Sequence, residues 1–162
     1  MNQNKRKFHY SVAKVLHWIA VFLIGFNLLS AWKLGSFSQD IKEVLVMIHS
    51  GVGVTVFFLM LFRWWWRRSR NLYTPPGWYK RPSMLLQWIF YPLVLVQVLV
   101  GVLQAVYIDY PVLAFGFIDF STLASADSVK RELLLNIHIA IAVVLIVMII
   151  AHGMERYKKI FT

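Results

Sequence analysis

The chain has 162 residues, 59% of them hydrophobic, a formal net charge of +10 and no cysteine. A soluble domain is usually about 45–50% apolar, so this composition, with a mean hydropathy of +0.63, points to the membrane. The absence of cysteine excludes disulfides, thiolate metal sites, iron–sulfur clusters and covalent c-type haem attachment.

Four apolar runs follow one another, over residues 15–32, 44–62, 84–108 and 133–154. Each is about the 20 residues that a spanning helix needs. The reading is an all-α membrane protein, a four-transmembrane-helix bundle forming a single domain over 1–162, with helices over about 11–32, 41–66, 83–107 and 128–157. The first run follows a basic start, as in a signal peptide. At 18 residues with no small-x-small site after it, it reads instead as a retained helix.

The short stretch "KLGSFSQD" leads to the second helix, where Asp40 and Glu43 form a capping-box pattern with Asp40 as cap. "RWWWRRSR" (63–70) closes that helix with the Trp and Arg expected at an interface. Trp64, Trp65 and Trp66 suit an interfacial belt better than a quinone site. "NLYTPPGWYKRP" is turn-like, and the third helix then contains Pro92, the one proline that would break a span. The longest connection, "DYPVLAFGFIDFSTLASAD", is aromatic-rich and is either a docking surface or a lid.

The charge is asymmetric. Lys5, Arg6, Lys7 and Lys14 lie at the start, Arg63, Arg67, Arg68, Arg70, Lys80 and Arg81 in the middle loop, and Arg156, Lys158 and Lys159 at the end. The other two loops hold six acids against Lys33, Lys42, Lys130 and Arg131. By the positive-inside rule both termini and the middle loop are cytoplasmic. The basic balance is therefore topology, and no nucleic-acid partner is expected.

Histidines carry the chemistry. His17 and His152 fall near the cytoplasmic ends of the first and fourth runs; His49 and His138 lie nearer the outer ends of the second and fourth. Ionisable residues inside spans are functional candidates. His138 and His152 are fourteen residues apart, a rise of about 21 Å and a rotation about 40° short of four turns, so they share a helix face. A lone membrane histidine more often hydrogen-bonds a neighbouring helix, and a zinc site wants three or four converging ligands. Two pairs matched in depth fit two six-coordinate haems, each with two axial imidazoles. Gly51, Gly53 and Gly101 allow either close helix packing or a macrocycle against the backbone, and Gly25 suits packing. His9 lies outside the first run and reads as a solvated residue.

"LHWIAVFL" around His17, "MIHSGVG" around His49, the His138–His152 pair ending in "AHG", and "FGFIDFSTLA" (115–124) together resemble the prokaryotic cytochrome b561 family. The resemblance implies a bacterial inner-membrane protein with two haems b, His17 and His152 ligating the cytoplasmic-side iron and His49 and His138 the outer one. It also implies single-electron transfer from an outer-face donor, with superoxide the leading choice, to membrane ubiquinone. Gln87 stands where relatives often have histidine, and Val98 where they have proline. The acidic balance of the outer loops weighs against steering an anion; Lys130 and Arg131 are the basic candidates, with snorkelling or helix capping as their ordinary role. The alternatives are an electron-relay or anchor subunit serving a dehydrogenase or periplasmic redox partner, and a haem-free small transporter.

Overall fold

The computed structural model describes residues 3–31, 37–70 and 77–161, with backbone alone at 78 and 155–161. Four long helices dominate: α1 (Gln3–Ala31), α2 (Gln39–Ser69), α3 (Pro82–Val106) and α4 (Ser128–Phe161). All four are long and apolar enough to cross a membrane. The protein is an all-α membrane bundle.

Helix ends differ from the periodicity in informative ways. α1 starts at Gln3, about three turns before the apolar run, because the helix-favouring basic residues Lys5, Arg6 and Lys7 continue it past the apolar boundary. Trp32 lies outside the described residues, as do residues 33–36 and 71–76 of the two turn segments. α2 begins at Gln39, with Ser38 in the cap position, so the capping box centred on Asp40 does not form. Asp40 instead sits in the first turn, where its charge meets the helix dipole, and Glu43 accepts a 3.3 Å hydrogen bond from Gln39. At the other end Arg67 and Arg68 extend α2 to Ser69, cations being favoured there. α3 opens with Pro82 in the first turn and runs through Pro92 without a break. The proline removes one backbone donor, and the flanking turns hold the helix.

The long connection is ordered. Strands β1 (Leu113–Ala114) and β2 (Ile118–Asp119) pair antiparallel, and Phe115 and Gly116 turn the chain at φ 57° and 81°. Glycine enters that region freely, whereas a phenylalanine there needs its surroundings to hold it. Asp119 accepts from the backbone N–H and hydroxyl of Ser121 at 2.9 and 2.7 Å, which holds its carboxyl below the usual carboxylate range. Asp127 accepts from the Lys130 N–H at 3.0 Å and so caps α4. This is the hairpin end of the bundle; the opposite end, carrying residues 3 and 161, is the terminal end.

α2 packs against α1 and α3, and α4 against α3, whereas α4 makes no more than marginal backbone approach to α1 and α2. An apolar layer of Ala20, Val56, Met60, Tyr91, Val94 and Leu145 fills the middle of the bundle. Leu145 is midway between His138 and His152, and Val56 and Met60 fall between His49 and Arg63. The layer therefore separates two polar levels.

Candidate functional site

Each level holds one histidine from α4 and one from the helices it stands away from. His49 and His138 have ring centres 6.4 Å apart at an interplanar angle of 65°. His17 and His152 have the same 6.4 Å spacing at 83°. A metal–imidazole bond of about 2 Å, with roughly 1 Å more from nitrogen to ring centre, places two axial rings about 6 Å apart. A direct nitrogen–nitrogen hydrogen bond of about 3 Å would draw the ring centres to about 5 Å. The observed spacing suits one iron between two rings. No group of three histidine or carboxylate side chains converges on one point among the described residues, as a zinc site would require.

The hairpin-end pair also has suitable tautomer chemistry. The Ser30 hydroxyl donates to the Asn27 carbonyl at 3.0 Å, which uses its only proton. Its 3.1 Å contact with His49 Nδ1 is then received from the ring N–H, and Nε2 keeps a lone pair for a metal. His138 Nδ1 is buried and makes no close hydrogen bond, and the Gln97 backbone carbonyl is the acceptor beside that ring. Gly101 leaves space for it: a Cβ there would stand 3.0 Å from His138 Cε1. Gly101 thus makes room for the His138 ring itself.

Gly51 and Gly53, two and four residues after His49 on α2, behave differently. A Cβ on Gly51 would meet Phe115, at 3.0 Å from the ring and 3.1 Å from its backbone nitrogen. Gly51 seats the hairpin, which neither helix packing nor a macrocycle requires. Gly53 faces Asn27 at an ordinary 3.5 Å, and Gly25 has nothing within 4 Å among the described residues.

At the terminal end, Arg63 donates to His17 Nδ1 at 3.0 Å, its guanidinium 5.5 Å from the Tyr91 ring centre. One turn on, Arg67 is 6% exposed, lies 4.9 Å over the Trp88 ring and donates to Gln87 Oε1 at 3.4 Å. Gln87, where a histidine is common in relatives, is an acceptor for this arginine. His17 fits an iron by spacing, but a ring bound through Nε2 carries its proton on Nδ1, and Arg63 cannot accept it. Arg63 has to turn away when Nε2 is engaged.

His9 is not a solvated residue. The early start of α1 brings it onto the helix, edge-on to Trp66 at 5.3 Å, and its carbonyl accepts from Trp66 Nε1 at 3.3 Å. Trp65 is exposed, as an interfacial residue would be, and Trp64 packs on the central layer. Lys130 is held 3.0 Å from Asp127, a pairing that reduces its value for attracting an anion. Sequence reasoning missed Ser30, Arg63, Arg67 and Tyr91. One signal was present: Arg63 follows His49 by fourteen residues, the interval that puts His138 and His152 on one face.

No curated protein gives a match to the chain. The family model described as prokaryotic cytochrome b561 matches residues 9–155, a stretch containing all five histidines of the chain. The chain therefore belongs to the prokaryotic cytochrome b561 family, and is a multi-pass membrane protein that binds haem b and transfers electrons.

Proposed function

We propose that the chain carries two haems b in the bacterial inner membrane, with both termini cytoplasmic, and passes single electrons from an outer-face donor to ubiquinone. The observation that carries this reading is the pair of 6.4 Å histidine spacings, each bridging α4 to a helix on which it does not closely pack. His49 and His138 are the ligands on the outer side, His17 and His152 those on the cytoplasmic side. Bound haem b supplies one-electron exchange between ferric and ferrous iron.

The remaining work is done by the protein. The two histidines at each level would hold the haem iron between them and leave oxygen or substrate no place on the metal. Ser30 fixes the tautomer and orientation of His49. The central apolar layer keeps water from the path between levels. Superoxide is the leading donor. Two superoxide anions each give up one electron and leave as dioxygen, and one ubiquinone takes both electrons with two protons to become ubiquinol.

A relay role is favoured by one observation. Phe117 and Leu123, at the hairpin end, are 76% and 69% exposed, a surface suited to a protein donor, while Lys130 is already engaged by Asp127. A transporter reading has no such support; Pro92 does not interrupt α3.

The test is a reduced-minus-oxidised spectrum of the purified chain with haem counted, followed by superoxide and a short-chain ubiquinone. Two low-spin b haems per chain and quinone reduction without a partner are expected. A colourless protein overturns the haem assignment. Two haems without superoxide-driven reduction replace the oxidase reading with the relay.

A further inference from the structure

An iron at His17 Nε2 sends the Arg63 donors elsewhere, since Nδ1 then donates. Beside Arg63, on the edge of the central apolar layer, stands Tyr91. Its side chain is 2% exposed, its hydroxyl is buried without a hydrogen-bond partner, and the Arg63 guanidinium lies 5.5 Å from its ring centre. A buried hydroxyl left unpaired among Val56, Met60 and Val94 is costly. Arg63 also occupies the face of α2 that carries His49, fourteen residues on, so that face is directed at the histidines on both levels.

We propose that Arg63 and Tyr91 together hold an oxygen acceptor beside the terminal-end histidine pair. A guanidinium and a phenol are both donors, and the guanidinium lies over the phenol ring among apolar and aromatic walls, with the Trp88 ring 6.1 Å from that of Tyr91. The matching group is an oxygen with lone pairs and a full or partial negative charge on a flat, lipophilic molecule. Two molecules offer it: a bound haem through a propionate carboxylate, and a quinone through a ring carbonyl. The inference rests on the two-haem reading above.

The experiment compares haem-loaded wild type with Tyr91→Phe, Arg63→Gln and Arg63→Lys. It records haem per chain, the midpoint potential of each haem and the affinity for a short-chain ubiquinone. A carboxylate at the site makes the terminal-end midpoint fall in Tyr91→Phe, which changes no charge, as well as in Arg63→Gln, with recovery in Arg63→Lys, an unmoved second haem and unchanged quinone affinity. A carbonyl makes quinone affinity drop about tenfold on loss of the hydroxyl, with both midpoints unmoved. Tyr91→Phe removes one oxygen and keeps the ring, so it decides the matter if Arg63→Gln does not fold. Two haems with midpoints and quinone affinity unmoved in Tyr91→Phe, whatever the loss of charge does in Arg63→Gln, overturn the inference and leave the two-haem reading standing. A wild-type chain lacking the terminal-end haem overturns both.

Discussion

The two histidine pairs share a spacing and differ in what holds their second nitrogens. His49 gives its Nδ1 proton to Ser30, whereas His17 Nδ1 faces a guanidinium. Backbone placement sets the distance between rings, and neighbours on α1 and α2 set their electronics. An acceptor on Nδ1–H makes imidazole a stronger donor to iron and favours the ferric state. Nearby cations favour the ferrous state, and Arg63 and Arg67 are both at the terminal end. The hairpin-end haem should therefore have the lower midpoint, which drives electrons from the hairpin end toward the terminal end. A redox titration resolving two components checks the order.

Removing a ligand tests this comparison most severely. His49→Ala should abolish the low-midpoint component and leave one b haem per chain, and His17→Ala should abolish the high-midpoint one. Haem counted against protein, with the surviving midpoint measured, reads both outcomes. The opposite assignment of midpoints would show that Arg63 and Arg67 do not dominate the electrostatics.

Smaller perturbations follow from the glycines. In Gly101→Ala the added carbon lies 3.0 Å from the His138 ring, and in Gly51→Ala it meets the Phe115 backbone at 3.1 Å. Overpacking of this kind costs about 1–3 kcal/mol. Gly101→Ala should alter the spectrum and midpoint of the hairpin-end haem only. Gly51→Ala should loosen the hairpin, seen as faster amide exchange over 112–120, while Gly53→Ala, with a 3.5 Å contact, should resemble wild type in thermal stability.

The four ligand candidates were legible because depth and helix face depend only on residue interval and bilayer thickness. His138 and His152 needed no knowledge of neighbouring helices. Ser30 and Tyr91 did: their roles depend on which helix packs beside which and how each is rotated. Arg63 carried the fourteen-residue signal but looked like one basic residue among six at an interface. His9 was misread because the onset of apolar sequence was equated with the onset of helix. The hairpin escaped because Phe115 occupies a left-handed conformation that its side chain does not advertise, and the Gly51 contact that seats it comes from a distant part of the chain.

Ser30→Ala isolates the tautomer effect. It removes the acceptor from His49 Nδ1 while leaving both ligands in place, at a stability cost of about 1 kcal/mol. The hairpin-end midpoint should rise and the terminal-end midpoint stay fixed. That would narrow the gap between the two pairs. A fall instead would mean that ring orientation, rather than imidazole basicity, is what Ser30 controls.

The smallest effect is expected at Asp119, and it asks whether the hairpin serves only one of the two levels. Its carboxyl pKa is lowered by the hydroxyl and N–H of Ser121. A carboxylate lowered in the folded state stabilises above its unfolded value of about 3.9. That contribution is lost as pH falls through the folded value. Above about pH 5 the turn should thus be at full strength, and acidification below about pH 4 should open it. Asp119→Asn should weaken the hairpin at neutral pH and flatten this acid dependence, measured by amide exchange over 112–123. Because Phe115 rests on Gly51, two residues from His49, a water-soluble reductant should then reach the hairpin-end haem faster in the variant. The terminal-end haem, on the far side of the apolar layer, should be reduced at the wild-type rate once the difference in supply from its neighbour is subtracted. Equal acceleration of both would mean that the hairpin braces the whole bundle instead of covering one end.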